Sequence, residues 1–328
     1  MTEAAGPAEV AAGAAVALRR LAADPALRAA FAAPDSPLAR LLAPAARRYV
    51  SVGDRARLLP GLRRLAGWGY GATVECIGED TTDPARVVEV RREYRALIAD
   101  LAGIGGSARV GFDLTNLGLL IDPADCRTAV ADLAAAGTAA GVGLIVSMER
   151  SALVDPILDA WQALAPAYPD LGLTLQAYLH RTPRDIAALD LAGRPVRLVK
   201  GAYAEAEAVA LPRGPALDRR YLDCLEALVA AGARVSVATQ DAALLETART
   251  AGLLDRAAEV EMFRGVAHAV ARRLRREAVP VRVLTVYGSG WFLYFLHRLA
   301  EHPANVLEAL ADHADPTRIP GPDAYAPD

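Results

Sequence analysis

The chain has 328 residues, enough for one large barrel or two ordinary domains, and length alone does not choose between them. An apolar fraction of 53% is ample for a large core, while the aromatic fraction is only 5%. A net charge of -3 with acids and bases intermixed leaves no basic run for nucleic acid and no basic amphipathic stretch for a membrane surface.

The apolar stretches are broken by charges well short of a spanning helix, so no transmembrane segment is expected. The start, Met1-Thr2-Glu3, lacks the basic opening and apolar core of a secretory signal. Cys76, Cys126 and Cys224 stand singly, which suits a reduced, cytoplasmic setting and argues against a cysteine metal site. Of the 36 basic residues only Lys200 is a lysine. A chain so biased to arginine is expected to keep a lysine where a compact ammonium does what a planar guanidinium cannot.

In chain order, residues 1–66 read as a helical arm: alanine-rich runs broken at Pro25, Pro34, Pro37 and Pro44, then an amphipathic segment over 54–66, with no strand-like run. From residue 72 the pattern changes. Short β-branched runs at 72–77, 109–114, 143–148, 173–178, 196–200, 234–238, 258–263 and 281–286 alternate with stretches of helical period such as 86–101, 218–230 and 241–251. Thr182 followed by Pro183 predicts a helix start with Thr182 as its cap. Gly137, Gly141, Gly232 and Gly252 fall where helices should hand over to strands.

Eight strand–helix units over this length predict the α/β class, a (β/α)₈ TIM-type barrel at 67–310, with the helical arm before it and a C-terminal tail at 311–328. A doubly wound sheet is the alternative. Its first strand–helix turn should be a glycine-rich phosphate loop, and Ile77-Gly78-Glu79-Asp80 is not one. A barrel places its chemistry at the C-terminal ends of its strands. That rule nominates Glu79, residues 113–116, 147–150, 176–178, 200–203, 239–241 and 263–265, and 287–290.

These strand ends resemble the proline dehydrogenase family. The strongest match is Val196-Arg197-Leu198-Val199-Lys200-Gly201-Ala202-Tyr203, similar to that family's fifth-strand signature. Supporting it are Ile77-Gly78-Glu79, Leu175-Gln176-Ala177-Tyr178-Leu179, Ala238-Thr239, and Arg298-Leu299-Ala300-Glu301-His302-Pro303-Ala304-Asn305, with a similar lead-in over 49–53. The likeness spans residues 46 to about 308 in order.

The resemblance implies an FAD-dependent oxidoreductase that moves hydride from a carbon beside an amine nitrogen to flavin N5, giving an imine. It implies that Arg197 lies near N5, that Gln176 meets the pyrimidine edge, and that Val199, Lys200, Gly201, Ala202, Tyr203, Thr239 and Gln240 line the cofactor. Reduced flavin carries extra electron density, so Arg197 and Lys200 suit it as cationic donors. The plain alternative for both is an ordinary salt bridge at a strand end. No metal is implied. Arg197, Lys200, Tyr294 and Arg298 are the expected catalytic set. Asp113, Ser147, Phe263, Leu284, Tyr294, His297, Arg298 and Glu301 are expected around the substrate, and Glu79 with His297 at the gate.

Departures from the family pattern fall in that substrate shell. The family's second-strand lysine falls on Asp113, its third-strand aspartate on Ser147, its sixth-strand histidine on Gln240, its eighth-strand tyrosine on Leu284, and the first of two last-helix arginines on His297. Tyr294 and Glu301 match. Lysine to aspartate reverses a charge, which at a few ångströms is worth on the order of kcal/mol, or tenfold and more in affinity. An amino-acid carboxylate is thus less well served and a cationic or larger substrate better served. The expected partners are a small amine or imino acid (proline, a modified proline or another amine) and an electron acceptor, which could be quinone, oxygen or a carrier protein. Quinone reduction would bring membrane association. Amino-acid metabolism or a specialised biosynthesis would suit. Two rival readings are a non-redox binding or regulatory barrel and a flavin-free lyase with Lys200 as Schiff base.

Overall fold

The computed structural model describes residues 6–53, 55–301 and 303–327. Met1-Thr2-Glu3, Asp54 and His302 from the sequence expectations lie outside the described residues. Nine strands are present among the described residues: β1 Val50–Val52, β2 Gly71–Cys76, β3 Ala108–Phe112, β4 Gly143–Val146, β5 Leu171–Gln176, β6 Pro195–Val199, β7 Arg234–Ala238, β8 Glu259–Phe263 and β9 Val281–Gly288. Each neighbouring pair is parallel, and β2 and β8 both pair with β9, closing the sheet into the expected eight-stranded barrel.

Alternation along the strands sorts the side chains. Val74, Val110, Leu144, Leu173, Leu198, Val237, Val260 and Val283 point outward into one core cluster with helix residues such as Tyr94, Leu97, Leu133, Trp161 and Leu225. The intervening positions face the lumen, and many are charged. Arg109 on β3 lies 3.2 Å from Glu259 of β8 and donates to Ser236 of β7 at 3.0 Å. These strands are not neighbours, so the contact crosses the barrel. Arg282 donates to Glu259 at 2.7 Å, and Arg197 to Glu75 at 2.7 Å. The barrel interior is therefore a stack of ion pairs below a polar mouth, where layers of branched apolar residues are usual.

Three local expectations change. First, the arm contains a strand. On one side of β9 the pairing with β8 ends at Leu284, and β1 takes over at Val286–Gly288, continuing the same ladder. A three-residue run is too short to show a period, so only the free length of β9 specifies it. Second, Thr182 is the first residue of helix Thr182–Ala188, not its cap, and its hydroxyl donates to the Gln176 carbonyl at 2.6 Å. Third, Gly137 lies inside helix Pro123–Ala140, where a Cβ would sit 2.1 Å from Leu144 Cδ1; the left-handed exit is at Gly141.

The ends of the chain pack on the barrel mouth. Helix Pro25–Ala32 seats Phe31 edge-on against Trp291 at 4.7 Å and beside Phe292 at 5.1 Å, at the start of helix Phe292–Glu301. Arg48 grips the fully buried Asp312 of helix Pro303–Ala314 through Nε at 2.5 Å and Nη2 at 2.8 Å. The segment expected as a tail turns back so that buried Tyr325 accepts the Gly265 N–H at 3.0 Å.

Candidate active site

A cavity of about 550 Å³ opens at the C-terminal ends of the strands. All the residues expected from the sequence to serve cofactor, substrate or gate line this one cavity.

Arg197 forms its floor and is 5% exposed. Its Nε donates to Thr174 at 3.0 Å, Nη1 to Glu75 at 2.7 Å and Nη2 to Ser147 at 3.0 Å. Burial pulls its pKa down, but Glu75, Glu261 and Asp113 outweigh that and raise it. Glu75 can lie there because Gly111 has no side chain: a Cβ would be 2.2 Å from Glu75 Oε1. A guanidinium has five N–H donors, so two remain for a ligand.

Lys200 stands higher, its Nζ 2.6 Å from Asp218 and 2.9 Å from Asp241. The plain alternative thus holds for part of its role: its ammonium is engaged by Asp218 of helix Pro215–Ala230 and by Asp241, the cap of helix Ala242–Thr250. Gly201, at φ +119°, passes so close to Tyr178 that a Cβ would sit 2.3 Å from the ring. Arg213 donates to the Gly201 carbonyl at 2.7 Å, fixing this loop. Gln176 Nε2 donates to the Glu149 carbonyl at 2.7 Å, and Gln240 Oε1 accepts from the Phe263 N–H at 3.2 Å.

On the last-helix side the Arg298 guanidinium lies over the rings of Phe263 at 4.8 Å and Tyr294 at 5.3 Å and pairs with Glu301. Arg298 Nε and Tyr294 Oη are buried without hydrogen-bond partners among the described residues. Burial, Arg298 and Arg19 hold His297 down to about 4, so it is neutral at ordinary pH. The expected His297–Glu79 pair is not formed: Glu79 instead accepts from the Tyr203 hydroxyl at 3.1 Å. A neutral imidazole offers a carboxylate no charge, whereas the phenol offers a direct donor.

Acids gather at the ends of β2, β3 and β4. Asp113 faces the cavity, and burial, then Glu149, Glu79 and Glu75, raises it well above the carboxylate range. Burial also raises Glu79. Glu149, 1% exposed, is pushed up to about 7 by burial despite accepting the Thr115 N–H at 3.1 Å and hydroxyl at 2.5 Å.

Sequence reasoning passed over Glu75, Glu261 and the arm residues Arg28, Phe31 and Ala32, which also line the cavity. The first two were detectable as charges at alternate positions in otherwise apolar strands. The arm residues carry no such signal, because their place depends on packing against the last helices.

The residues present fit FAD. The two spare Arg197 donors and the small apolar walls at Val199, Ala202 and Ala238 suit a flat, acceptor-rich ring system. No group of metal-ligating side chains is found among the described residues, nor any helix long and apolar enough to cross a membrane.

A closed barrel with an arginine-floored cavity at its C-terminal mouth defines a (β/α)₈ enzyme. The proline dehydrogenase family model matches residues 58–307, and the chain belongs to that family, a family of FAD-dependent oxidoreductases. It is similar to proline dehydrogenase 2 of Bacillus subtilis, with 29% identity over 266 residues, covering 80% of this chain and 88% of that protein. To proline dehydrogenase of Deinococcus radiodurans it is 27% identical over 269 residues, 79% of this chain and 87% of that one. Among solved structures, proline utilization A of Bdellovibrio bacteriovorus, inactivated by N-propargylglycine, superposes with a TM-score of 0.69 at 21% identity over 88% of this chain. The chain spans only 37% of that longer protein.

Proposed function

We propose that the chain oxidises the carbon next to an amine nitrogen to give an imine, on proline, a modified proline or another amine. The observation that carries this reading is Arg197, pinned by Thr174, Glu75 and Ser147 with donors to spare at the cavity floor. Bound FAD supplies the two-electron acceptor. The residues that would hold it are Gln176, Arg197, Val199, Gly201, Ala202, Tyr203, Thr239 and Gln240, with Lys200 bracing the loop through Asp218 and Asp241.

The protein's own work is then positioning. Arg298 and Tyr294 offer unused donors to the substrate side, and the N-terminal helix Pro25–Ala32 with Phe292 excludes water from it. No proton need pass through a covalent nucleophile. The two carboxylates on Lys200 count against the Schiff-base reading, since that chemistry needs a free amine. The orphaned donors count against a barrel that has lost its ligand.

Unpaired Cys76, Cys126 and Cys224 support a reducing compartment, and the final electron acceptor is a quinone, oxygen or a carrier protein. Purified protein should be yellow, and an amine substrate should bleach it anaerobically. Protein that is colourless and takes up no FAD would refute the flavin reading. Borohydride trapping of a carbonyl compound on Lys200 would establish the lyase instead.

A further inference from the structure

We propose that the turn after β3 is a subsite for a positively charged group, so that the substrate is an amine carrying a second basic nitrogen where an amino acid carries its carboxylate. This rests on the amine-oxidation reading above and names its substrate class.

The first observation is an imbalance of charge. Asp113 and Glu79 line this end of the cavity with Glu149 buried behind them, and none of the three has an ion-pair partner among the described residues. Glu79 accepts from the Tyr203 hydroxyl and Glu149 from Thr115, but no protein group among the described residues donates to the Asp113 carboxylate. The strongest charges on Asp113 are Glu149, Glu79 and Glu75, with the phenols of Tyr94 and Tyr203 beside it and Arg197 opposing them; Arg150 and Arg28 act on Glu79, and Arg150 is paired with Asp80. Arg197 is already committed to Glu75 at 2.7 Å, with Glu261 at 3.6 Å.

The second observation is independent of charge. Asn116, on the same turn and lining the cavity, is 1% exposed, yet its Nδ2 has no partner. The amide lies flat on Gly78, where a Cβ would be 2.5 Å from Nδ2, and Thr81 Oγ1 lies 2.9 Å from Oδ1. A hydroxyl both donates and accepts, so either end of the amide can face Thr81. The other end is left for a ligand. With its carbonyl turned to the cavity, Asn116 accepts from an ammonium or amidinium that Asp113 pairs.

The carboxylate side is correspondingly poor. Arg298 shares its charge with Glu301 and keeps only Nε buried and unpartnered among the described residues, and His297 is neutral. A bound cation would draw Asp113 into its ionised form, so binding releases protons and tightens as pH rises.

The probes are (S)-2-(aminomethyl)pyrrolidine and L-proline, titrated calorimetrically into FAD-loaded and FAD-free protein. The diamine is expected to bind at least tenfold more tightly than L-proline in both forms. Asp113→Asn should remove that preference, Asp113→Lys should reverse it, and Asn116→Ala should weaken the diamine alone. Removing an uncompensated carboxyl should not harm folding, which thermal melting of Asp113→Asn checks. L-proline binding as tightly as the diamine to wild type, or Asp113→Asn leaving the ratio unchanged, overturns the subsite. Failure of the flavin reading shows separately as absent visible absorption, and the FAD-free titration still decides.

Discussion

Glu149 shows what burial does to a single side chain. Its carboxyl ordinarily titrates at 4.5 and is pushed up to about 7, chiefly by loss of water, with Thr115 opposing the shift. A folded state that raises an acid's pKa binds more protons than the unfolded chain between those two values. Stability contributed by this residue is therefore full below pH 4.5 and lost as pH rises through about 7. Glu149→Gln keeps the shape and removes the charge. It should melt close to wild type at pH 5 and above it at pH 8, the gap reaching on the order of 2–3 kcal/mol. A gap that stays constant with pH would show that Glu149 does not carry this charge. The same loss of water raises Asp113 and Glu79.

At the scale of elements, one N-terminal helix adds a wall to a cavity that the barrel strands and the last helix otherwise line. Helix Pro25–Ala32 lies outside the residues matched by the family model, yet it brings Arg28, Phe31 and Ala32 to the cavity rim. Phe31 is 7% exposed and buried against Trp291 and Phe292. Truncating it to alanine should lose about 3 kcal/mol of stability by the transfer and cavity costs of a buried ring. Denaturant titration measures that loss. If Phe31 also shields the site, acrylamide quenching of bound flavin should increase in the same variant. The strand positions were legible because β-branched runs and turn glycines recur at regular intervals. β1 and the arm's docking were not, since Val50–Val52 has no period of its own and Phe31 gains meaning only from residues 260 positions away.

For the molecule as a whole, the lumen sets the energetics. Arg109, Arg197 and Arg282 meet Glu75, Glu259 and Glu261 within it. Glu259 alone meets Arg282 at 2.7 Å, Arg109 at 3.2 Å and Ser236 at 2.6 Å. Glu259→Ala strands two buried cations and should cost about 3–5 kcal/mol. Arg64→Ala, which breaks the exposed pair with Asp323, should change stability by less than about 1 kcal/mol. Comparable losses for the two would contradict the buried network.

The charges at positions 109, 259, 261 and 282 were readable as polar interruptions in apolar strands. Their partners across the barrel were not, because pairing between non-adjacent strands follows from closure and not from local sequence. The segment 196–203 announced the floor and wall of the cavity, while Asp113 announced only a change of charge. Asn116 and Tyr203 gave that change its neighbours.

The join between β1 and β9 bears on how the protein can be trimmed. A chain shortened to begin after Gly53 would leave the amide and carbonyl groups of Val286–Gly288 bare along one side of the longest strand. Such a row is a template for a strand from another copy. Shortened forms should therefore self-associate with rising concentration, although every residue of the closed barrel is still present.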